Sequence, residues 1–467
     1  MPRPTAITDI RTPMPCVTRR AGQASDLLAL HARDPKRYPF FLESAASGTP
    51  QARYDILFGF PGEVLELTPA GALSGHRGDA SGFLDAFNSW WRELRLPRTS
   101  ARGMPPFRGG WFVFIGYELA GEIEPTLKLP RPPGALPVAL ACRIPAAIVR
   151  DHADDSLTLV AEPGEERLLD LMAEDLRGKG APIQFPREPC LDAALIEEEG
   201  EVYLDGVQRV IEYVLAGDVF QVNLSRLWQG KLKAGVSNAA LYDRLRKRNP
   251  SPFAGLAARD GWAIVSSSPE RLVEVEGRLV QTRPIAGTRP RGTSGLTDIA
   301  LSEELIAHPK ERAEHIMLVD LERNDLSRVC VPGSVKVSEN MVIESYAQVH
   351  HIVSNIRGQL YEDIPPGDVI RAIFPGGTIT GCPKVRCMEI IAELERVGRG
   401  PYTGSMGYVN RDGGMDLNIL IRTILREGDS ISLRAGAGIV ADSIPQRELE
   451  ETRAKAGAIV LALITES

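Results

Sequence analysis

The chain has 467 residues, of which 43% are hydrophobic and 25% charged, and its formal net charge is −7 at pH 7. This is the composition of a globular protein large enough for two or three domains. No long Lys/Arg run stands out, so we expect no nucleic-acid partner. The sequence has no apolar N-terminal segment of the signal-peptide kind and no 18-residue apolar span, so we expect no secretory signal and no membrane helix.

The first region of the chain is predicted to contain short strands and helices. The stretch WFVFIGYEL at 111–119 has the composition of a strand, and a proline-rich segment, LKLPRPPGALP, follows at 127–137. GKGAPIQFPREPCLDAA at 178–194 contains several Gly and Pro residues and is typical of a linker. We therefore divide the chain into an N-terminal region, 1–190, and a second region, 195–467.

The second region mixes long helices with hairpins. In YLDGVQRVIEYVLAGD, at 203–218, apolar residues recur with the helical period, and Gly217 suits the position after the helix. WAIVSSSPE and LVEVEGRLVQTRP are predicted strands, with a turn at Glu276 and Gly277. A final helix has Pro445 in its first turn. This mixture favours the α+β class over a regular alternation of parallel strands and helices.

The six cysteines, at 16, 142, 190, 330, 382 and 387, form no CxxC pair. In a chain of this size, few and unpatterned cysteines indicate a reducing compartment, so we expect a cytoplasmic protein. We interpret Cys382 and Cys387 as small buried thiols, since no further ligands complete a zinc site around them.

Two pairs of glutamates repeat one unusual spacing. Glu311 and Glu314 lie three residues apart in the predicted helix KERAEHIMLVDLERND. Glu448 and Glu451 do so in the final helix, where Lys455 follows Glu451 by four residues. Like charges at this spacing repel each other, but four carboxylates from two helices could converge on one Mg²⁺, which prefers oxygen ligands and keeps several waters. The alternative is a solvated helix face, in which Glu451 and Lys455 form an ordinary stabilising pair.

Two glycine-rich segments lie near these helices in the sequence. FPGGTITGCPKVRCMEII at 374–391 is predicted to be a turn that enters a helix and presents backbone N–H groups to an anion, without the spacing of a nucleotide-binding loop. RAGAGIVADSIPQRELEE at 434–451 is predicted to be a second glycine loop before a helix. Arg422, in the strand-like DLNILIRTI, could hold a carboxylate through two hydrogen bonds. Each segment alone is more often a simple turn; together they indicate a small, multiply anionic ligand beside a metal.

Nine stretches of the second region resemble the chorismate-utilising enzyme family, in family order. They are QVNLSR (221–226), SSSPERL (266–272), TRPIAGTRPRG (282–292), KERAEHIMLVDLERNDLSRV (310–329), VHHIVSNIRG (349–358), FPGGTITGCPKVRCMEIIAELE (374–395), PYTGSMGY (401–408), DLNILIRT (416–423) and AGAGIVADSIPQRELEETRAKA (435–456). The first 190 residues resemble the family more loosely, through FFLESAASGTPQARYDIL at 40–57. The resemblance implies an α+β sandwich of two large antiparallel sheets flanked by helices, with chorismate, a dianion, as the substrate.

The resemblance also implies a magnesium site. Glu314 and Glu451 are expected to bind Mg²⁺, and Glu311 and Glu448 to hold coordinated waters. Lys455 is expected to grip the ring carboxylate of chorismate together with the metal.

The remaining substrate contacts are implied in the same way. Arg422, Tyr402 and the backbone of Gly438 are expected to hold the enolpyruvyl carboxylate, and Thr378 and His351 to line the ring pocket. His351 has an alternative role as a hydrogen-bonded core residue, and Tyr402 as a packing residue.

Two positions concern the chemistry itself. By the resemblance, Glu270 is the general acid that helps the C4 hydroxyl leave, and this role needs a pKa raised by burial. Members that add water at C2 carry a lysine base at the position of Gln221. Glutamine cannot accept a proton, so water is poorly activated, whereas ammonia needs no such activation. The expected nucleophile is therefore ammonia.

Two branches of the family use ammonia, and the chain has features of both. Aminodeoxychorismate synthases place nitrogen at C4, whereas anthranilate synthases place it at C2 and release pyruvate. Ala286, in PIAGT, is familiar from the second branch and excludes the covalent lysine route proposed for PIKGT forms. QVNLS, NPSPFAG (249–255), FPGGTITG and GSMGY resemble the first branch, where the second more often has QVVPS, FPAGT and GAVGY. We favour amination at C4; the second branch and a non-catalytic chorismate-binding paralogue are the alternatives.

A partner is implied by a motif that the sequence lacks. There is no GxCxG nucleophile with a downstream His-x-Glu, so the chain has no glutamine amidotransferase of its own. The resemblance implies a heterodimer with a small glutaminase subunit that delivers ammonia. Leu42, Glu43 and Ser44 resemble a tryptophan-binding segment of the feedback-inhibited branch; the alternative is a strand that ends in a polar turn.

Overall fold

The computed structural model describes residues 14–22, 26–46, 52–75, 80–98, 103–132, 134–178, 183–292, 295–345 and 349–465. The strands in these ranges are β1 (Val17–Ala21), β2 (Phe40–Glu43), β3 (Tyr54–Gly59), β4 (Val64–Leu67), β5 (Leu73–Ser74), β6 (Gly110–Ile115), β7 (Ala139–Ile144), β8 (Ala146–Asp151), β9 (Ser156–Ala161), β10 (Ile196–Glu197), β11 (Gln221–Lys231), β12 (Phe253–Arg259), β13 (Trp262–Ser268), β14 (Arg271–Glu276), β15 (Leu279–Thr282), β16 (Ile285–Pro290), β17 (Lys336–Ser345), β18 (Val349–Gln359), β19 (Gly381–Cys382), β20 (Ser405–Asn410), β21 (Met415–Asn418), β22 (Thr423–Glu427) and β23 (Ser430–Ile439).

The helices in the same ranges are α1 (Leu27–Arg33), α2 (Phe83–Leu94), α3 (Ala120–Ile123), α4 (Arg167–Arg177), α5 (Gly200–Leu215), α6 (Asn238–Arg248), α7 (Gly295–Ala307), α8 (Pro309–Ser327), α9 (Pro366–Ile373), α10 (Lys384–Glu395) and α11 (Pro445–Ile464). Short 3₁₀ turns occur at Tyr117–Leu119 and Gly377–Ile379.

The strands form two large sheets. The first has the order β1-β9-β8-β3-β2-β12-β13-β22-β23-β11-β10, with β19 paired to β11. The second has the order β16-β18-β15-β14-β21-β20-β6-β7-β4-β5, with β17 paired to β18. The pairings are antiparallel, as between β2 and β12 in the first sheet and between β6 and β20 in the second.

The facing sides of the two sheets share an aromatic core. Phe40 of the first sheet stacks on Phe112 of the second, with their ring centroids 4.0 Å apart, and Phe58 meets Phe112 edge-on. All three side chains are fully buried. Truncating one of them to alanine would cost about 3–5 kcal/mol of unfolding free energy. This core joins the sheets into a sandwich.

Helices cover the outer faces. In β8, Ile148 packs under the helices of the first sheet while its neighbours Ala147 and Val149 enter the shared core, as the two-residue period of a strand requires. Apolar residues of α1, α4, α6 and α11 cover the first sheet, and those of α2, α8 and α9 cover the second. The predicted α+β sandwich of large antiparallel sheets flanked by helices is therefore confirmed.

Both sheets run across the sequence division near residue 195. β2 lies in the N-terminal region and pairs with β12 of the second, and β6 pairs with β20 in the same way. The two regions, 1–190 and 195–467, thus complete each other's sheets, and their separation stays a prediction about the sequence.

Several local predictions agree with the structure. α5 covers the predicted helix, with Gly217 at φ +84° just after it, and α11 begins with Pro445 in its first turn. The predicted strand at 111–119 is too long, because β6 ends at Ile115 and the chain then turns so that the Tyr117 N–H donates to the Gly400 carbonyl at 2.9 Å.

No helix in the described part of the chain combines the length and apolarity that crossing a membrane requires. All six cysteines are free thiols. Cys387 is buried as expected, but Cys382 is half-buried because it lies in the short strand β19 beside the loop that leads into α10.

Candidate active site

Helix α8 directs part of its acidic side toward the sheets. Glu311 and Glu314 are half-buried, whereas the residues between them are exposed. Gln221, at the start of β11, is buried, and its Nε2 donates to Glu314 Oε1 at 2.8 Å. Glu311 Oε1 lies 3.2 Å from Arg289 Nη1 on β16. The two glutamates therefore connect α8 to a strand of each sheet.

The predicted glycine loop at 434–451 is wrong over its first part, because Arg434 to Ile439 belong to β23. Pairing with β11 along its length holds this segment in a strand, and its glycines allow close approach instead. A Cβ atom on Gly438 would lie 2.2 Å from Gln221 Nε2, and one on Gly436 would lie 2.8 Å from the Tyr402 hydroxyl. Side chains at these positions would occupy the space that Gln221 and Tyr402 use.

Lys455 of α11, the ion-pair partner of Glu451, reaches the same segment. Lys455 Nζ lies 2.7 Å from Glu451 Oε1 and donates to the Gly436 carbonyl at 3.1 Å. Burial raises the pKa of Tyr203 well above its usual value, and the charges of Glu448 and Glu451 add to this effect. Glu448 and Glu451 thus act electrostatically on a tyrosine of α5.

No group of three or more His, Cys, Asp or Glu side chains within the described ranges is arranged to hold a metal ion. Mg²⁺ often takes only one or two protein carboxylates, with water and substrate as its other ligands. The residues present fit a site of that kind. Glu451 is about half exposed, and the buried Oε1 of Gln221, beside Glu314, has no hydrogen-bond partner among the described residues. Magnesium binding by the four glutamates stays a prediction.

Glu270 and Thr378 form a second contact. Glu270 lies between β13 and β14 with only 5% of its surface exposed, and Thr378 Oγ1 donates to Glu270 Oε1 at 2.8 Å. Burial raises the pKa of Glu270 to about 7, the hydrogen bond from Thr378 opposes the rise, and the charge of Glu322 adds to it. The carboxyl is therefore partly protonated near neutral pH, which is the state that a general acid needs.

Arg422 does not lie in a strand, contrary to the sequence-based prediction. It lies where the chain leaves β21 of the second sheet and enters β22 of the first. Its φ of +52° is in the left-handed region, which is uncommon for a residue other than glycine. The change of sheet interrupts the extended conformation, and it places a half-buried guanidinium within electrostatic range of Glu270.

His351 lies on β18 and is buried. Burial, followed by the nearby charge of Arg422, lowers the pKa of His351 to about 4, so the ring is neutral at pH 7. Its Nδ1 lies 3.4 Å from the Gly287 carbonyl. His351, Arg422 and Glu270 thus belong to one electrostatic neighbourhood.

Tyr402 is supported by a buried network that the sequence analysis missed. Its ring centroid lies 5.5 Å from the Arg399 guanidinium. Arg399 pairs with Glu395 Oε1 at 2.6 Å, and Arg434 pairs with Glu395 Oε2 at 2.9 Å. Glu395 is the last residue of α10 and Arg399 lies beyond the end of that helix, so the helical spacing rule gave no signal for this pair. The network fixes the loop that carries Tyr402.

Ala286 lies on β16 with 6% of its surface exposed. The next residue, Gly287, has φ +65°, and the pairing of β16 with β18 shifts register there. A Cβ atom on Gly287 would lie 2.9 Å from Glu311 Oε2. This irregular stretch therefore approaches α8 closely and offers no nucleophilic side chain at residue 286.

A large cavity of about 1040 Å³ lies elsewhere in the sandwich. Leu42, Glu43 and Ser44 line it together with Phe253 and Arg271, and none of the predicted catalytic, substrate or metal residues does. Glu43 is engaged inside the protein, since its carboxylate pairs with Arg246 at 2.8 Å. Tryptophan binding at residues 42–44 stays one of two open alternatives.

Three further polar residues near the predicted site were not identified from the sequence. Arg289 pairs with Glu311, and Asn223 Oδ1 is buried without a partner in the described part of the chain, close to Gly436. Glu322, on α8, accepts a hydrogen bond from the Gly377 N–H at 3.3 Å. Only Glu322 had a signal, because it lies eight residues after Glu314 and so on the same side of the helix.

Known proteins share this architecture. An anthranilate synthase component I-like protein of Synechocystis sp. is 44% identical over 361 residues, which are 77% of this chain and 73% of that protein. Aminodeoxychorismate synthase component 1 of Bacillus subtilis is 41% identical over 390 residues, which are 81% of this chain and 82% of that protein. The crystal structure of anthranilate synthase component I from Streptococcus pneumoniae is 30% identical and has a TM-score of 0.78, covering 89% of this chain and 93% of that one. The chorismate binding enzyme family matches residues 61–461, and this chain therefore belongs to that family.

Proposed function

We propose that this chain is component I of an aminodeoxychorismate synthase, which replaces the C4 hydroxyl of chorismate by an amino group in a Mg²⁺-dependent reaction. The observation that carries the proposal is the contact between Gln221 and Glu314. A neutral amide, bound at 2.8 Å to a carboxylate, occupies the position where water-using members carry a lysine base. With no base there, ammonia is the favoured nucleophile.

The proton balance assigns a role to Glu270. The reaction forms a C–N bond and breaks the C4–O bond, and Glu270 gives its proton to the departing oxygen, which leaves as water. The attacking nitrogen loses one proton, which restores the proton on Glu270, so the protons balance. Thr378, at 2.8 Å, holds the Glu270 carboxyl in place. A general acid of this kind contributes about 10²–10⁴-fold to the rate.

The substrate is anchored through its two carboxylates. Arg422, Tyr402 and the Gly438 backbone hold the enolpyruvyl carboxylate, and Lys455 approaches the ring carboxylate. Glu314 and Glu451 would hold Mg²⁺, and Glu311 and Glu448 would bind its waters. When bound, the ion supplies positive charge that offsets the negative ring carboxylate. Neutral His351 lines the ring pocket with Thr378 without adding charge.

Ammonia would come from a glutaminase subunit. The chain has no glutaminase nucleophile motif, and the Bacillus subtilis relative is named as component 1 of its synthase. We therefore propose that this chain forms a heterodimer with a glutaminase subunit in folate-precursor biosynthesis and provides the chorismate site.

The second candidate is anthranilate synthase component I. Ala286 favours it, since this residue is the form familiar from that branch. The relative from Synechocystis sp. carries an anthranilate synthase-like name at 44% identity, close to the 41% of the aminodeoxychorismate synthase. The four stretches around QVNLS, NPSPFAG, FPGGTITG and GSMGY favour the first candidate.

Product identification separates the two candidates. The purified chain is incubated with chorismate, Mg²⁺ and ammonium at pH 8, and the products are separated and weighed by mass spectrometry. The proposal predicts an aminated product that keeps the enolpyruvyl group, with no pyruvate released. Fluorescent anthranilate with an equal amount of pyruvate would refute amination at C4, and no consumption of chorismate would favour the non-catalytic paralogue.

A further inference from the structure

Glu322 is a buried carboxyl that the proposed chemistry does not use directly. It lies on α8 with 4% of its surface exposed. Its Oε1 accepts the Gly377 N–H at 3.3 Å, and its Oε2 accepts from Thr282 Oγ1 at 3.1 Å. Gly377 begins the 3₁₀ turn whose next residue, Thr378, binds Glu270. The Glu322 carboxyl thus fixes the turn that carries Thr378, the hydrogen-bond partner of Glu270.

The hydrogen bonds alone do not require an acid at position 322. A glutamine could accept from the Gly377 N–H and donate to the Thr282 hydroxyl without burying an ionisable group. Burying a carboxylate is unfavourable unless its charge is compensated. What distinguishes Glu322 from glutamine is therefore its charge.

The charge acts on Glu270. Burial is the largest cause that raises the pKa of Glu270, and repulsion from Glu322 adds to it, while Thr378, the Ile285 backbone and Arg422 lower it. Around Glu322, burial and then Asp325 raise its own pKa, while Lys384, Thr282 and the Gly377 N–H lower it. The net result is a pKa of about 7, so Glu322 gains its charge over the same pH range in which Glu270 loses its proton. Two buried carboxyls that interact release their protons in linked steps.

We infer that Glu322 is a positioning residue for the proposed general acid: it holds the turn that carries Thr378, and it places a second ionisable carboxyl within electrostatic range of Glu270. This inference rests on the proposed function, because Glu270 must be the acid. It assigns to Glu322 a role that depends on charge and not only on shape.

The test is the pH dependence of kcat/KM for chorismate, with the free ammonia concentration held constant across the series. Glu270 must be protonated, so activity falls as the pH rises through its pKa. In Glu322→Gln the repulsion is absent and the pKa of Glu270 is lower. The alkaline limb of the pH profile is expected to move to lower pH. Relative to the wild type, Glu322→Gln should lose several-fold more activity at pH 8 than at pH 6. Thr378→Val, which removes the opposing hydrogen bond, is expected to move the limb to higher pH.

Controls separate this role from simple packing. Asp320→Asn changes an exposed carboxylate on the same helix, 64% exposed, and should leave the limb in place. Thr282→Val removes a hydrogen bond that stabilises the ionised form of Glu322, and it leaves residue 322 itself unchanged. It should move the limb in the direction expected for Glu322→Gln, and it supplies the test if that variant does not fold.

Two outcomes overturn the inference in different ways. If Glu270→Gln is inactive but the limb is unmoved in both Glu322→Gln and Thr282→Val, Glu322 is a packing residue and the proposed function stands. If Glu270→Gln keeps full activity, the proposed general acid is wrong and the role of Glu322 falls with it.

Discussion

Gly438 leaves the space through which Gln221 reaches Glu314: a Cβ atom on Gly438 would lie 2.2 Å from Gln221 Nε2, the same nitrogen that is 2.8 Å from Glu314 Oε1. The two residues lie on paired strands, and Gly438 is directly opposite Asn223. A small change on β23 should therefore disturb the proposed site through a single side chain.

Gly438→Ala is expected to displace the Gln221 side chain and break its hydrogen bond to Glu314. Because the clash involves the end of a side chain, the fold should remain. We expect kcat/KM for chorismate to fall by roughly tenfold or more, as for the loss of one hydrogen bond to a charged group. Steady-state kinetics and a thermal unfolding curve measure the two effects.

The matched control is Gly457→Ala on α11, where an added Cβ would meet nothing within 4 Å. It should leave activity unchanged and raise the free energy of unfolding by up to about 1 kcal/mol, because alanine favours a helix more than glycine does. Full activity in Gly438→Ala would show that the contact between Gln221 and Glu314 does not matter for turnover.

Glu270→Gln should lower activity and raise stability at alkaline pH. The pKa of Glu270 is about 7 in the folded protein against 4.5 for the free group. The folded state therefore holds this proton more tightly, and the wild type loses stability as the pH rises from about 4.5 to about 7. Glutamine does not titrate and so has no such loss. Between pH 4 and pH 8, the difference in unfolding free energy between variant and wild type should therefore shift in favour of the variant by up to about 3 kcal/mol.

Urea unfolding of both proteins at pH 4, 6 and 8 measures this gain, and kcat measured in parallel should fall by about 10²–10⁴-fold. A stability difference between variant and wild type that is the same at all three pH values would show that Glu270 does not titrate in this range.

Glu451→Gln should weaken the binding of the Mg²⁺ that the reaction needs. We expect the Mg²⁺ concentration that gives half-maximal activity to rise by roughly 10–100-fold or more, because loss even of groups that orient metal ligands has an effect of that size. Glu450→Gln is the control, since Glu450 is the exposed neighbour of Glu451 on α11. Equal Mg²⁺ curves for both variants would favour the solvated helix face.

Ala286 predicts that no covalent intermediate forms at residue 286. The wild-type chain is mixed with chorismate and Mg²⁺, with and without ammonium, quenched in acid and weighed intact. We expect the mass of the unmodified chain in every sample, because the methyl group of Ala286 cannot act as a nucleophile. A mass gain that maps to the strand Ile285–Pro290 would contradict this prediction.

Sequence patterns were reliable where structure is local. The helical period gave α5, and the spacing of the glutamates placed Glu311 with Glu314 and Glu448 with Glu451 on single helices. The family stretches indicated the sandwich of two antiparallel sheets. These features depend on residues a few positions apart or on long matching segments, so no knowledge of strand order was needed.

Errors arose where distant pairing overrides local preference. Glycine is a weak strand former, so 434–439 resembled a loop, yet ten residue pairs with β11 hold β23 extended. Arg422 lies in an apolar stretch of strand-like residues, but the chain changes sheet there and the residue takes φ +52°.

The sequence by itself therefore determined the class of fold, the family and the types of residue that the chemistry needs. Only the tertiary structure decided that Gln221 meets Glu314, 93 residues away, and that Glu322 holds the turn beside Glu270. Such contacts depend on which strands and helices become neighbours in the sandwich. That arrangement is set by burial of the apolar side chains over the whole molecule, and the periodicity of a single segment does not contain it.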